Sequence, residues 1–199
     1  MKAGFEAEQR RLWLLSVILP PWRGIDSYYK HIGGIMMKRF VAFVCAMVMI
    51  MSVAAGCSTP EKVFDTGAGL TITLPGNFQE ENDVSTGATA CYVTNSAGVL
   101  ILKETFEDLE AAGFSADMTL DEYGKVVIEA NSLTTDLQEA DGIKYFTYEN
   151  GDEGQKFTYY ATVFEGSDAF WLVQFFCLSD QYENLQSDFQ EWAKTIQIS

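Results

Sequence analysis

Four cysteines, one histidine and a large surplus of carboxylates are the residues from which this chain would have to build chemistry. From Cys57 onward there are 25 Asp and Glu against 6 Lys and no Arg, a net charge of −19. Residues 1–39 carry the opposite sign, with 7 Lys and Arg against 3 acids. A basic nucleic-acid surface is excluded by that arithmetic. His31 is the sole histidine, so the chain beyond Cys57 offers no imidazole base. A serine or cysteine nucleophile there lacks its usual activator, and no G-x-S-x-G elbow, S-x-x-K pair or glycine-rich phosphate loop occurs. Acid pairs of glycosidase type can be drawn among 25 carboxylates in too many ways for any to be singled out. The densest runs are Glu104, Glu107, Asp108 and Glu110, then Glu80, Glu81 and Asp83. Calcium uses such oxygens, but no D-x-[DN]-x-[DN]-G loop is present, and Asn150 to Gly154 reads as a turn. The expectation is a solvated acidic face, with no metal and no cofactor.

Cys57 has the most informative surroundings. Lys38-Arg39 precedes an uncharged run from Phe40 to Val53, then Ala54-Ala55-Gly56 and the cysteine. A basic patch, a short apolar core and small residues at the cut are the parts of a secretory signal peptide, and the run falls short of the ~20 apolar residues a membrane span requires. VAAGC resembles the lipobox of bacterial lipoproteins, with Ala54 where that family usually has leucine. The resemblance implies cleavage between Gly56 and Cys57, diacylglycerol on the Cys57 thiol, and a mature chain anchored by lipid at the extracytoplasmic face of the cell membrane. The signal peptide is placed at residues 36–56.

Residues 1–35 are a poor leader, because Leu12–Leu19 is broken by Pro20-Pro21. Gly33-Gly34 must be encoded GGN-GGN, which can read as a ribosome-binding sequence just before the Met36 codon. We expect 1–35 to be upstream sequence translated from a wrongly chosen start; a genuine N-terminal extension is the alternative.

Cys45 leaves with the signal peptide, and Cys91 and Cys177 remain. Outside the membrane a disulfide can persist, so a Cys91–Cys177 bridge is one reading; two buried thiols is the other, slightly favoured. Neither has C-x-x-C or metal-ligand spacing.

These residues need a scaffold. Residues 57–63 read as a tether and 64–199 as one domain. Leu70–Leu74 alternates at period two and stops at Pro75-Gly76. Ala90–Thr94 and Val99–Thr105 flank Asn95-Ser-Ala-Gly98, a hairpin connection. A short helical or irregular piece around 106–112 follows, then Thr119-Leu-Asp-Glu122, a capping box opening a helix that ends near Asn131. Leu133–Gln138, Ile143–Glu149, Lys156–Glu165 and Ala169–Leu178 read as an antiparallel meander. A closing helix places Tyr182, Leu185, Phe189, Trp192 and Ile196 on one stripe. Both parities of Ala169–Leu178 are apolar, so both faces of that strand must be covered. The fold expected is α+β, a largely antiparallel sheet with a helix on each face.

Gly69, Ile72, Leu74, Pro75 and Phe78 at the opening, the aromatic last strand, and Trp192 to Ile196 at the close resemble the PsbP-like α/β/α sandwich. Members of that family mostly bind or assemble other proteins, which implies a non-catalytic module here, and no functional residue of theirs matches a position in this chain. The aromatics Tyr145, Phe146, Tyr148, Phe157, Tyr159, Tyr160, Phe164, Phe170 and Trp171 read first as core packing and second as a ligand groove. The expected function is a membrane-anchored binding or assembly module for a protein or envelope component. The alternative is a carboxylate-dependent enzyme acting on cell-wall glycan.

Overall fold

The computed structural model describes residues 59–82, 87–115, 117–152 and 155–199. Segment 1–58, with the expected upstream region, the signal peptide 36–56, Gly56 and Cys57, lies outside the described residues. Among those described, no helix is long and apolar enough to cross a membrane.

In chain order the strands are β1 (Glu61–Asp65), β2 (Leu70–Pro75), β3 (Gln79–Glu80), β4 (Ala90–Val93), β5 (Ala97–Thr105), β6 (Gln138–Ala140), β7 (Ile143–Asp152), β8 (Gln155–Glu165), β9 (Ala169–Leu178) and β10 (Gln197–Ile198). The helices are α1 (Phe106–Ala111), α2 (Leu120–Ala130) and α3 (Tyr182–Lys194). The fold is α+β, as expected. Seven strands form an antiparallel sheet in the order β3-β4-β5-β9-β8-β7-β6, with β9 at its centre beside β5 and β8.

The two parities of β9 define two cores. Phe170, Leu172 and Phe176 join Tyr123, Val127 and Ile128 of α2 and Leu109 of α1 on one face. Trp171, Val173, Phe175 and Cys177 join Phe189 and Ala193 of α3 on the other. A strand with water on neither face has to be apolar on both, and this one is buried from Ala169 to Cys177. Helix α2 begins where its sequence dictates: the Thr119 hydroxyl accepts from the Glu122 amide, and the Glu122 carboxylate accepts from the Thr119 amide at 2.8 Å. At Gly124 a side chain would collide with Leu137, so the glycine admits the returning chain against the helix.

Three expectations are corrected. The tether does not extend to residue 63: Glu61–Asp65 is β1, hydrogen-bonded along its length to β2. Only Phe64 of that strand is buried, so it lacks the alternation by which a strand is read. The opening strand does not enter the main sheet either. β2 lies between β1 and β10 in a separate three-stranded sheet, whose Phe64, Leu70, Ile72 and Leu74 share the α3-side core. The covering on that face is therefore a small sheet as well as a helix. Lastly, Leu133–Gln138 is strand only at its end, β6 being Gln138–Ala140. Leu133 and Leu137 instead pack against the α2-side core.

Candidate functional site

The cysteine pair is settled by the register. Cys91 stands opposite Leu100 on β5 and lies in the α2-side core. Cys177 stands opposite Ala97 and lies in the α3-side core. The sheet separates the two side chains, and both are buried free thiols, which removes the Cys91–Cys177 bridge as a reading. Burial pushes Cys91 up to about 12 and Cys177 to about 11, so neither is a thiolate nucleophile at neutral pH.

The acidic run on β5 and α1 divides. Glu104 turns inward, 9% exposed, and accepts a hydrogen bond from the Tyr123 hydroxyl of α2. Phe170 stacks on the Tyr123 ring at 4.5 Å, and Phe106 meets Phe170 edge-on. Asp108 accepts from the Thr105 hydroxyl at 2.7 Å, while the Thr105 oxygen caps α1 by accepting from the Asp108 amide. Glu107 and Glu110 are exposed. In the second run, the Glu81 amide bonds the Cys91 carbonyl, Glu80 is exposed, and Asp83 lies outside the described residues. Among the described residues no three His, Cys, Asp or Glu side chains gather as metal ligands.

On the α2 side, buried polar groups that the sequence reading placed separately, among surface acids and among strand aromatics, form one strip. Besides Glu104 and Tyr123 it holds Tyr148, whose hydroxyl donates to the side-chain Oε1 of Gln174, and Tyr159, stacked on Tyr148 at 4.7 Å. Burial, aided by neighbouring charge, raises Tyr123, Tyr148 and Tyr159, so these phenols stay protonated and are not bases. Burial also raises Glu104; the Tyr123 hydrogen bond opposes that rise and the charge of Asp108 adds to it. One signal was available: Leu100, Leu102 and Glu104 share a parity on β5, which points the acid inward with the leucines.

The nine strand aromatics that could have lined a groove are core. Phe146, Tyr148, Phe157, Tyr159, Tyr160, Phe170 and Trp171 are buried, and Tyr145 and Phe164 are half-buried against the α3-side cluster. Val63 on β1 is the large apolar side chain exposed among the described residues. The charge that faces water among the described residues is mostly acidic, and three of the lysines are held within it. Lys103 pairs with Asp168 at 2.9 Å, Lys144 with Asp121 and Glu139 at 2.8 Å, and Lys194 with Asp141 at 2.8 Å and Glu191 at 2.9 Å. Such exposed pairs add little stability, on the order of 0–1 kcal/mol each, but they leave the surface predominantly negative.

No protein-family model matches the chain, and no curated protein matches it. Among solved structures it is similar to the solution structure of cyanobacterial PsbP (CyanoP) from Synechocystis sp. PCC 6803. That likeness has 17% identity and a TM-score of 0.42, covering 74% of this chain and 97% of the other.

Proposed function

We propose that this chain is a lipid-anchored extracytoplasmic lipoprotein whose domain binds or helps assemble a protein or envelope component without catalysing a reaction. The observation that carries the reading is Cys57 itself, placed directly after Lys38-Arg39, the Phe40–Val53 run and Ala54-Ala55-Gly56. Two acyl chains on that thiol give stable anchoring, at about 0.8 kcal/mol per buried CH₂, where a single chain is marginal. Strand β1 begins only four residues later, so the domain is held close to the bilayer. The acidic exterior supports the binding role, because it steers a basic partner and repels anionic polymer. The buried carboxyl of Glu104 is engaged by a phenol and enclosed by aromatic rings, an arrangement suited to packing.

Cell fractionation of the wild type and Cys57→Ser tests the anchor. The wild type should sediment with membranes, and the variant should be released or remain as uncleaved precursor. A variant cut after Gly56 and still membrane-bound to the wild-type extent would contradict the reading.

A further inference from the structure

Strand β7 is longer than the strand that borders it. On its inner side it pairs with β8 along its length, but on its outer side β6 reaches only Ile143, Lys144 and Tyr145. Ala140 and Ile143 flank the two-residue turn Asp141-Gly142, with φ of 53° and 78°, and so exchange their backbone hydrogen bonds across β6 and β7. At period two, Tyr145, Thr147, Glu149 and Gly151 direct N–H and C=O to that same outer side. Gly151 is blunted, its amide donating to the Asn150 side chain at 2.8 Å. Among the described residues nothing pairs with the outward groups of Thr147 and Glu149.

Native sheets guard such an edge with lysine, proline, a bulge or a covering segment. The stretch Phe146-Thr-Tyr-Glu-Asn-Gly151 has neither lysine nor proline. Its own charge is negative, Glu149 being exposed on it; of the lysines beside it, Lys144 is held by Asp121 and by Glu139 of adjoining β6, and Lys156 lies across from Gly151 on β8, away from the outer edge. We propose that the outer edge of β7 at Thr147–Glu149 is a docking site for an extended, lysine- or arginine-bearing segment of another polypeptide. The guest adds as an antiparallel strand in line with β6 and sets its basic side chains beside Glu149. A second copy of this chain is disfavoured, since it brings −19 of like charge and presents Glu149 to the same edge.

This rests on the binding reading and gives it a surface. The probe is a short fluorescein-labelled peptide alternating lysine with valine and threonine, with its glutamate counterpart as control, titrated into the full chain in detergent. The lysine peptide should bind, more weakly as salt rises, and should slow hydrogen exchange at the Thr147 and Glu149 amides. Thr147→Pro deletes an outward N–H without touching the β8 ladder, and Glu149→Lys reverses the charge with the backbone intact; each should weaken binding about tenfold or more. Unchanged affinity in both variants would overturn the edge and leave a binding module that works elsewhere. Binding of neither peptide would overturn both the edge and its basic guest. Amides of Thr147 and Glu149 already protected in the peptide-free protein would show the edge to be occupied, and a dimer abolished by Thr147→Pro would identify a second copy as the occupant; either result overturns the proposal.

Discussion

The Tyr123 hydroxyl of α2 donates to the buried carboxylate of Glu104 on β5, and this one bond joins the helical layer to the central sheet through a polar group. Replacing Tyr123 by phenylalanine leaves a buried acceptor without its donor. We expect a loss of about 1–3 kcal/mol, measured by urea denaturation at neutral pH. An unchanged midpoint would mean that the bond contributes nothing.

The same pair makes stability depend on pH. Burial lifts Glu104 above its ordinary value of 4.5, with the Tyr123 bond opposing and Asp108 adding to the rise. The folded chain therefore holds this proton more tightly than the unfolded chain does. The stabilisation is full below the ordinary value and is lost as pH rises through the raised one. Glu104→Gln removes that loss, so from about pH 4.5 upward the wild-type midpoint should fall relative to the variant. Parallel midpoint curves would contradict this.

Cys91 and Cys177 should be unreactive in the native protein. Both should label with maleimide only in denaturant, and a reductant should leave the melting temperature unchanged, since no bridge crosses the sheet. A reductant-sensitive melt would place the sulfurs on one face.

Helix α3 packs through Phe189, which is fully buried and stacked on Phe175 at 5.7 Å. Trp192 is half-buried, with its ring edge-on to Phe78 at 5.3 Å. Phe189→Ala should cost about 3–5 kcal/mol, Trp192→Ala less, and exposed Glu183→Ala almost nothing. A silent Phe189→Ala would detach α3 from the core.

Gly98 stands opposite Phe176, and a methyl there would lie 2.1 Å from the Phe176 ring. The ring is held by Phe157 and Tyr159, so Gly98→Ala should destabilise by about 1–3 kcal/mol despite alanine's better conformational entropy. Thermal unfolding of the variant checks it.

Much of this architecture is legible without coordinates. The Thr119-to-Glu122 pattern locates the start of α2, and the doubly apolar β9 requires two covered faces. Strand β1 escapes because a single residue of it, Phe64, is buried. β10 has only two residues, too few for any periodicity to register, and without it the small sheet cannot be inferred. Which faces Cys91 and Cys177 occupy depends on the β4–β5–β9 register, a long-range property that parity within one strand cannot supply. Glu104 was the avoidable misplacement: its charge grouped it with the surface acids, although its alternation with Leu100 and Leu102 pointed it inward.

Whether Cys57 carries the lipid anchor is decided by the intact mass of the protein extracted from membranes. The expected product is a chain beginning at Cys57 and heavier than its polypeptide by a diacylglyceryl group, with or without a further acyl chain. A chain that begins elsewhere, or that begins at Cys57 with no added lipid mass, would contradict it.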